Sequence, residues 1–274
     1  MMNDVIKAFL KSVIPAKFLP PVEAFRRAAL TMYCRGSKYT CPICGTHLRR
    51  FLPDGHRFAV LTEKQVIGGG YFPNRRCPAC KANERDRLVY LYLLHKTDVF
   101  QKPRKILHFA PENGLSNHLS KLAGTEYLTA DLNANGVMVK VDVTNMQFAD
   151  DFFDVIICNH VLEHVPDDRK AMREIYRTLT PNGWAILQVP ISLALANTYE
   201  DFSITTARGR EQAFGQSDHV RIYARDYASR LKQSGFKVEV FQWTAEIDNF
   251  GTRKNVFALN EKEAIYRVTK APSE

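Results

Sequence analysis

Five short apolar runs between Lys105 and Pro190 constrain the fold more than any other feature of this chain. Ile106–Ala110 leads into a loop that closes on Gly114. Tyr127–Ala130 ends in Asp131, and a third run carries Asp142. Val155–Cys158 ends in Asn159 and His160, and Trp184–Val189 follows the turn Pro181-Asn182-Gly183. Apolar runs of strand length alternating with turns and helix-length segments predict an α/β domain with a parallel sheet flanked by helices. Polar groups at the carboxyl ends of such strands line the ligand crevice. An acid at the end of the second strand is placed to accept hydrogen bonds from ribose hydroxyls, so a nucleotide-type ligand is expected.

Two of these stretches also carry a family resemblance. Phe153-Asp154-Val155-Ile156-Ile157-Cys158-Asn159-His160-Val161-Leu162-Glu163-His164-Val165 resembles the fourth-strand motif of class I S-adenosylmethionine-dependent methyltransferases of the type 11-like group. Leu179-Thr180-Pro181-Asn182-Gly183-Trp184 resembles their L-x-P-G-G turn before strand five. The resemblance covers roughly residues 103–270. It implies a Rossmann-like seven-stranded methyltransferase sheet with an antiparallel last strand. It also implies S-adenosylmethionine bound across the ends of strands one to four. The implied cofactor contacts are Phe109, Ala110, Glu112, Gly114, Asp131, Leu132, Asp142, Val143, Asn159 and His160. Asp131 matches the acid that holds the ribose and Asp142 the acid beside the adenine. Asn159 and His160 match the border of the methyl group. Each acid has a plainer reading, as a cap on the turn that follows it.

The first motif departs from the family. A sequence of the form D/E-x-G-x-G-x-G is expected, whereas this chain reads His108-Phe109-Ala110-Pro111-Glu112-Asn113-Gly114, and only Gly114 survives. Glycines there permit unusual backbone angles and close approach to the ligand. Ala110 can stand in for one provided its φ stays negative. Glu112 is expected to turn its carboxylate toward the ammonium of the cofactor's methionine part.

A second, independent signal lies upstream. Cys41-Pro42-Ile43-Cys44 and Cys77-Pro78-Ala79-Cys80 are two C-P-x-C knuckles. Two residues between cysteines let both sulfurs face one ion, and two knuckles supply the tetrahedral four-thiolate set that zinc prefers. Iron in the same geometry is the competitor. With four thiolates bound no position stays open, so structural Zn2+ without metal catalysis is expected at this site. Gly45 follows the first knuckle, while Lys81 takes the corresponding place after the second. Cys34 lies outside the spacing, and Cys158 reads as a buried small residue.

These signals divide the chain into a basic amphipathic helical arm (1–40), a small zinc-ribbon-like module (41–81), a connecting helix (82–102) and the methyltransferase domain (103–274). In the arm, Val5, Ile6, Phe9, Leu10, Val13 and Ile14 recur at helical spacing, and a second helix near 21–33 carries Val22, Phe25, Ala29 and Met32, a stripe expected to pack on a neighbouring domain. The arm holds seven basic residues against Asp4 and Glu23, and the chain as a whole carries +9. Such charge suits polyanions, from nucleic acid to the anionic membrane surface that a basic amphipathic helix can contact peripherally. No apolar run is long enough to span a bilayer, and Lys7 and Lys11 interrupt any signal-peptide core. A cytoplasmic protein with reduced or metal-bound thiols is expected. Residues 191–218 lack periodicity and are expected to form a lid or substrate loop. A helix over 224–234 should end at Gly235, followed by strands at 237–241 and 264–270.

Methyl transfer is an in-line displacement at a sulfonium, in which the protein aligns the nucleophile and takes a proton. His160 and His164 follow strand four near the expected methyl position, and their spacing puts both on one helix face. It also suits a metal pair, although no H-E-x-x-H pattern is present. His219 lies in Asp218-His219-Val220-Arg221-Ile222-Tyr223, which resembles the H-x-R-x-Y stretch after the lid of many small-molecule methyltransferases. His160, His164 and His219 are therefore the catalytic candidates. The resemblance favours an O or N atom of a small-molecule, sugar or glycolipid-type acceptor. The alternatives are an RNA methyltransferase that uses the zinc module for recognition and a scaffold whose cofactor site is dead. Against the former, the catalytic half has no dense basic patch with interleaved aromatics.

Overall fold

The computed structural model describes residues 19–133, 135–246, 250 and 254–271. The elements follow in chain order as α1 (Leu19–Cys34), β1 (Arg35–Thr40), β2 (His47–Leu48), β3 (Leu52–Asp54), α2 (Ala59–Glu63), β4 (Val66–Ile67), β5 (Phe72–Arg76), α3 (Glu84–Lys96), β6 (Lys105–Phe109), α4 (Asn113–Leu119), β7 (Glu126–Asp131), β8 (Val139–Lys140) and β9 (Phe153–Cys158). A 3-10 turn at Leu162–His164 precedes α5 (Asp168–Thr178), β10 (Leu179–Ile186), β11 (Ile191–Ser192), β12 (Tyr199–Glu200), α6 (Ala207–Phe214), β13 (Arg221–Ile222), α7 (Tyr227–Lys232), β14 (Lys237–Gln242) and β15 (Ala264–Thr269).

Seven strands form one sheet in the order β14-β15-β10-β9-β6-β7-β8. Five run parallel, and β15 inserts antiparallel between β10 and β14. The central strands are apolar on both faces because helices cover both. On β9 the alternation is direct. Ile156 and Cys158 join a cluster with Met172 and Ile175 of α5 and Tyr227 and Leu231 of α7. Val155 and Ile157 join the opposite cluster with Leu88, Leu91 and Tyr92 of α3 and Leu115 and Leu119 of α4. The expected connecting helix, α3, is thus one of the layers of the sheet domain.

The Pro181-Asn182-Gly183 turn lies inside β10 as an irregularity. Pairing with β9 holds at Leu179, shifts, and resumes at Trp184, with Asn182 in the left-handed region at φ 64°. The segment after β10 is more ordered than its sequence suggests. β11 pairs with β4, β12 pairs with β13, and α6 is capped by the Thr206 side chain and closed by a left-handed Gly215. Phe58, Val60, Leu61 and Val66 pack with Phe214 and Ile222 in a satellite core. Gly215 is required twice, by its φ of +83° and because a Cβ there would collide with the Leu61 side chain at 2.3 Å. Residues 59–67, assigned from sequence to the cysteine module, therefore pack with the segment that follows β10.

The cysteine module sits against the start of α4. Gly114 is buried, and a Cβ on it would meet Ile43 Cγ2 at 3.1 Å and Ala82 Cβ at 3.6 Å. His118 Nε2, one turn on, lies 2.8 Å from the Ile43 carbonyl. Gly114 thus lets α4 press on the first knuckle, and it is not among the residues lining the cleft at the carboxyl ends of β6 to β9. Arg87 fastens the second knuckle. Its fully buried guanidinium donates to the carbonyls of Phe257, Arg75, Ala82, Asn74 and Ala258 and stacks 3.8 Å from the Phe51 ring centroid.

The first expected arm helix lies outside the described residues. The second is α1, but its stripe does not pack as expected, since Phe25 and Met32 are each 77% exposed. No helix among the described residues is long and apolar enough to cross a membrane.

Candidate active site

A cleft of about 800 Å³ opens at the carboxyl ends of β6 to β9. One wall is built by Phe109 and Ala110 after β6, Asp131 and Leu132 after β7, and Asp142 and Val143 after β8. At the far end stand His160, His164 and Asp218. Both acids cap their own turns. Asp131 Oδ1 accepts from the Asn133 amide at 2.8 Å, and Asp142 Oδ1 accepts from the amide and hydroxyl of Thr144 at 2.8 Å. The capping fixes the carboxylates on the cleft wall.

The altered loop after β6 is held by side chains. Glu112 Oε2 lies 2.8 Å from His108 Nε2, and Asn159 Nδ2 donates to Glu112 Oε1 at 3.1 Å. His108 Nδ1 in turn lies 2.8 Å from the Tyr127 hydroxyl. Glu112 thereby ties strands β6, β7 and β9 together beneath the loop. Both of its oxygens are engaged within the protein, Oε2 with His108 and Oε1 with Asn159. Burial raises the Glu112 pKa, but the hydrogen bond and attraction to His108 outweigh it and leave the group below the ordinary carboxylate range. Ala110 takes φ +45° in place of the negative value expected of it, and His160 takes φ +55° at the end of β9. Non-glycine residues in this region are uncommon and cluster at functional sites.

The far end of the cleft brings Glu163, beside the two candidate histidines in sequence, together with Asp218 and Glu263, which have no role in the sequence reading. Glu163 Oε1 lies 3.2 Å from His160 Nδ1, and Asp218 Oδ2 lies 3.2 Å from His164 Nδ1. The rings of His164 and His219 meet edge to face at 4.6 Å. Glu263, brought in by the chain entering β15, is 4% exposed. A Cβ on Gly68 would lie 3.3 Å from both the Glu263 carboxylate and the His160 ring, so only glycine, at φ +85°, fits between them. Arg75 and Arg85 both donate to the Gly68 carbonyl and fix that loop. Glu163 was legible as the neighbour of two candidate histidines. Glu263 carries no local signal, because it lies about a hundred residues away in sequence.

Desolvation governs the ionisation here. Burial pushes Glu163 up to about 8. Burial, then repulsion from Glu84, does the same for Glu263. Burial lowers His160 well below its ordinary value and lowers His164. Burial and the neighbouring His164 bring His219 down to about 3. Several buried polar atoms at this end have no hydrogen-bond partner among the described residues, namely Asn159 Oδ1, His160 Nε2, Glu163 Oε2, Glu263 Oε2 and Arg85 Nε. Such atoms are costly and mark where a ligand or ordered water completes the site.

Arg221 and Tyr223 of the H-x-R-x-Y stretch hold this end rigid. Arg221 is buried and donates to the carbonyls of Leu162, Val165 and Pro166, while the Tyr223 hydroxyl donates to Asp168 at 2.7 Å. The Val220 amide donates to the Glu163 carbonyl at 3.0 Å, which fixes His219 beside the 3-10 turn.

The four cysteines converge as their spacing predicts. Sγ of Cys41 lies 3.6 Å from Cys80, and Cys44 lies 3.8 Å from Cys77. Tetrahedral zinc with bonds of about 2.3 Å requires sulfurs about 3.8 Å apart, so the donor set fits such an ion. Gly45 and Lys81 donate back to the carbonyls of Cys41 and Cys77 at φ +70° and +68°, so Lys81 adopts the conformation of the glycine it replaces. Hydrogen bonding among the sulfurs raises the Cys41 thiol and lowers Cys44.

Fold and cleft together define a class, and comparison with known proteins agrees. Residues 115–187 match the family model described as "Methyltransferase domain". That span of the chain matches a methyltransferase domain, and it lies within the seven-stranded sheet described above. The chain is 29% identical over 126 residues to the ubiquinone/menaquinone biosynthesis C-methyltransferase UbiE of Pectobacterium carotovorum, covering 38% of this chain and 50% of that protein. It is 29% identical over 96 residues to an arsenite methyltransferase of Aquipseudomonas alcaligenes, covering 35% of this chain and 25% of that one. The chain thus spans half or less of the relatives it matches. Among solved structures, a SAM-dependent methyltransferase from Archaeoglobus fulgidus aligns with TM-score 0.44 and 15% identity over 70% of this chain and 96% of its own. A didemethyltoxoflavin N1-methyltransferase from Burkholderia thailandensis aligns with TM-score 0.43 and 13% identity over 69% and 78%.

Proposed function

We propose that the protein transfers the methyl group of S-adenosylmethionine to an oxygen or nitrogen atom of a small polar acceptor, of sugar or glycolipid type. One observation carries this reading: a single cleft with Asp131 and Asp142 on one wall and His160 and His164 at its far end. In this reading Asp131 accepts from the ribose hydroxyls, Asp142 accepts from the exocyclic amine of the adenine, and Phe109, Leu132 and Val143 supply apolar contact. The cofactor, when bound, supplies an electrophilic methyl carbon. The chain's own residues then orient the acceptor and take its proton. With Nδ1 against Glu163, the ring of His160 has Nε2 left to accept that proton. The polar acceptor is supported by the far end of the cleft, where the unsatisfied groups are carboxyl, imidazole, amide and guanidinium atoms. Zinc is the ion we propose for the four thiolates, as a brace for α4.

Calorimetric titration with S-adenosylhomocysteine tests the reading. Micromolar binding is expected. Asp131→Ala, which removes charge-assisted hydrogen bonds of about 1.5–3 kcal/mol, should weaken it roughly 10- to 150-fold. Absence of binding by a folded, zinc-loaded sample would refute it. Binding would direct an acceptor screen starting with nucleotide sugars and glycolipids.

A further inference from the structure

We infer that Glu163, His164 and His219 form a second metal site, distinct from the four thiolates, which takes a divalent first-row cation at the far end of the cleft and holds the acceptor on it. The inference rests on the methyl-transfer reading for its role but not for its existence. One donor atom from each of the three side chains lies within 4.8 Å of the others, a separation that small side-chain rotations close to coordination distance. Glu163 and His219 are 1% and 7% exposed, whereas His164 reaches the cleft wall. An ion held by all three would sit between the protein interior and the cleft.

The second observation is the carboxylate itself. Glu163 Oε2 is buried and has no hydrogen-bond partner among the described residues, while Oε1 is turned to His160. A buried carboxylate oxygen without a donor is expensive unless a cation or ligand completes it. Around it the scaffold is stiff. The Val220 amide is hydrogen-bonded to the Glu163 carbonyl, and the Arg221 guanidinium caps the 3-10 turn that carries Glu163 and His164. Asp218 stands 3.2 Å behind His164, in the place of the carboxylate that orients a metal-bound imidazole.

The donor set specifies the ion class. Two imidazoles and one carboxylate suit Mn2+, Fe2+, Co2+, Ni2+ or Zn2+, and three protein ligands leave open positions, as in catalytic rather than structural sites. An acceptor hydroxyl or amine bound in an open position would be held beside His160 and made more acidic by the cation.

Cobalt titration of the full chain separates the two sites in one experiment. Co2+ in the thiolate site shows intense sulfur-to-metal charge transfer, whereas Co2+ on nitrogen and oxygen shows weak ligand-field bands alone. A second equivalent that adds only the weak bands is expected. His219→Ala and Glu163→Gln should remove the second equivalent and leave the thiolate signal intact. Asp218→Asn should weaken the second site about tenfold. His219→Gln serves if the alanine variant does not fold, and retained thiolate bands report folding in each case. The inference is overturned if no second equivalent binds, or if it survives in the His219 and Glu163 variants. S-adenosylhomocysteine titration of the same samples keeps the readings apart: cofactor binding without a second cation sinks only the metal site, and the reverse sinks only methyl transfer.

Discussion

Arg87→Met tests whether the cysteine module and the sheet domain are one mechanical unit. The substitution preserves most of the side-chain length and removes the guanidinium. Five carbonyls lose a charged donor, those of Asn74 and Arg75 in the module, of Ala82 just after it, and of Phe257 and Ala258 before β15. At about 1 kcal/mol per orphaned buried carbonyl, the low end of the usual range, the loss is about 5 kcal/mol. Methionine avoids the desolvation of a buried cation, a cost that shows in the lowered Arg87 pKa, caused first by burial. That relief offsets part of the loss and leaves a net destabilisation of about 3–5 kcal/mol, the usual cost of removing one side of a buried charged network. For a chain of this size, 1 kcal/mol moves Tm by about 2–4 °C, so the drop should be about 6–20 °C. Differential scanning calorimetry, run beside a chromophoric zinc-release assay, reads both halves of the argument. Zinc should be released in the same transition that melts the sheet domain. A Tm within about 3 °C of wild type, or zinc release well separated from the main transition, would refute the idea that Arg87 joins the two.

Three further outcomes are expected. Ala110→Gly removes a left-handed strain of about 1–2 kcal/mol and adds unfolded-chain entropy of about 0.5–1 kcal/mol; thermal melts should show a neutral to slightly stabilised protein, with S-adenosylhomocysteine bound at least as tightly. Gly114→Ala should cost about 1 kcal/mol or less, because overpacking against Ile43 is partly offset by helix propensity; its cofactor affinity should stay within about twofold, whereas a tenfold loss (about 1.4 kcal/mol) would restore Gly114 to the cofactor loop. The third concerns pH in cation-free protein. Glu163 and Glu263 have folded pKa values of about 8, raised chiefly by burial, so the folded state holds protons that the unfolded chain releases near the ordinary value of 4.5. Their contribution is fully present below 4.5 and is lost as pH rises to about 8. His219, lowered to about 3 mainly by burial, acts oppositely and removes stability as pH falls below 6.5. Stability from urea unfolding should fall from about pH 5 to about pH 8 and level off above it, and Glu163→Gln with Glu263→Gln should flatten that decline; an unchanged slope would show that these carboxyls are not held protonated.

The parts of this protein written in local pattern are legible without coordinates. Alternation of apolar residues along β6, β7 and β9 and the polar residues that end them follow from strand periodicity, and the parallel sheet and its crevice follow from those. The C-P-x-C spacing alone brings each pair of sulfurs together, because two intervening residues make one turn. Hidden from the sequence is whatever depends on segments distant along the chain. The loop after β6 lost its family glycines, and only the folded structure reveals Glu112 bridging His108 and Asn159 in their place. Gly114 looks like the survivor of a cofactor motif, yet its missing side chain makes room for Ile43, some seventy residues earlier. Residues 59–67 read as part of the cysteine module until β4 pairs with β11 beyond strand five. Glu163, His219 and Glu263 become one buried polar group only when the 3-10 turn, the lid and the entrance to β15 meet. Local pattern specifies elements because it is enforced by neighbours two to four residues away along the chain; the chemistry at the end of the cleft depends on burial and distance, and those are decided by packing.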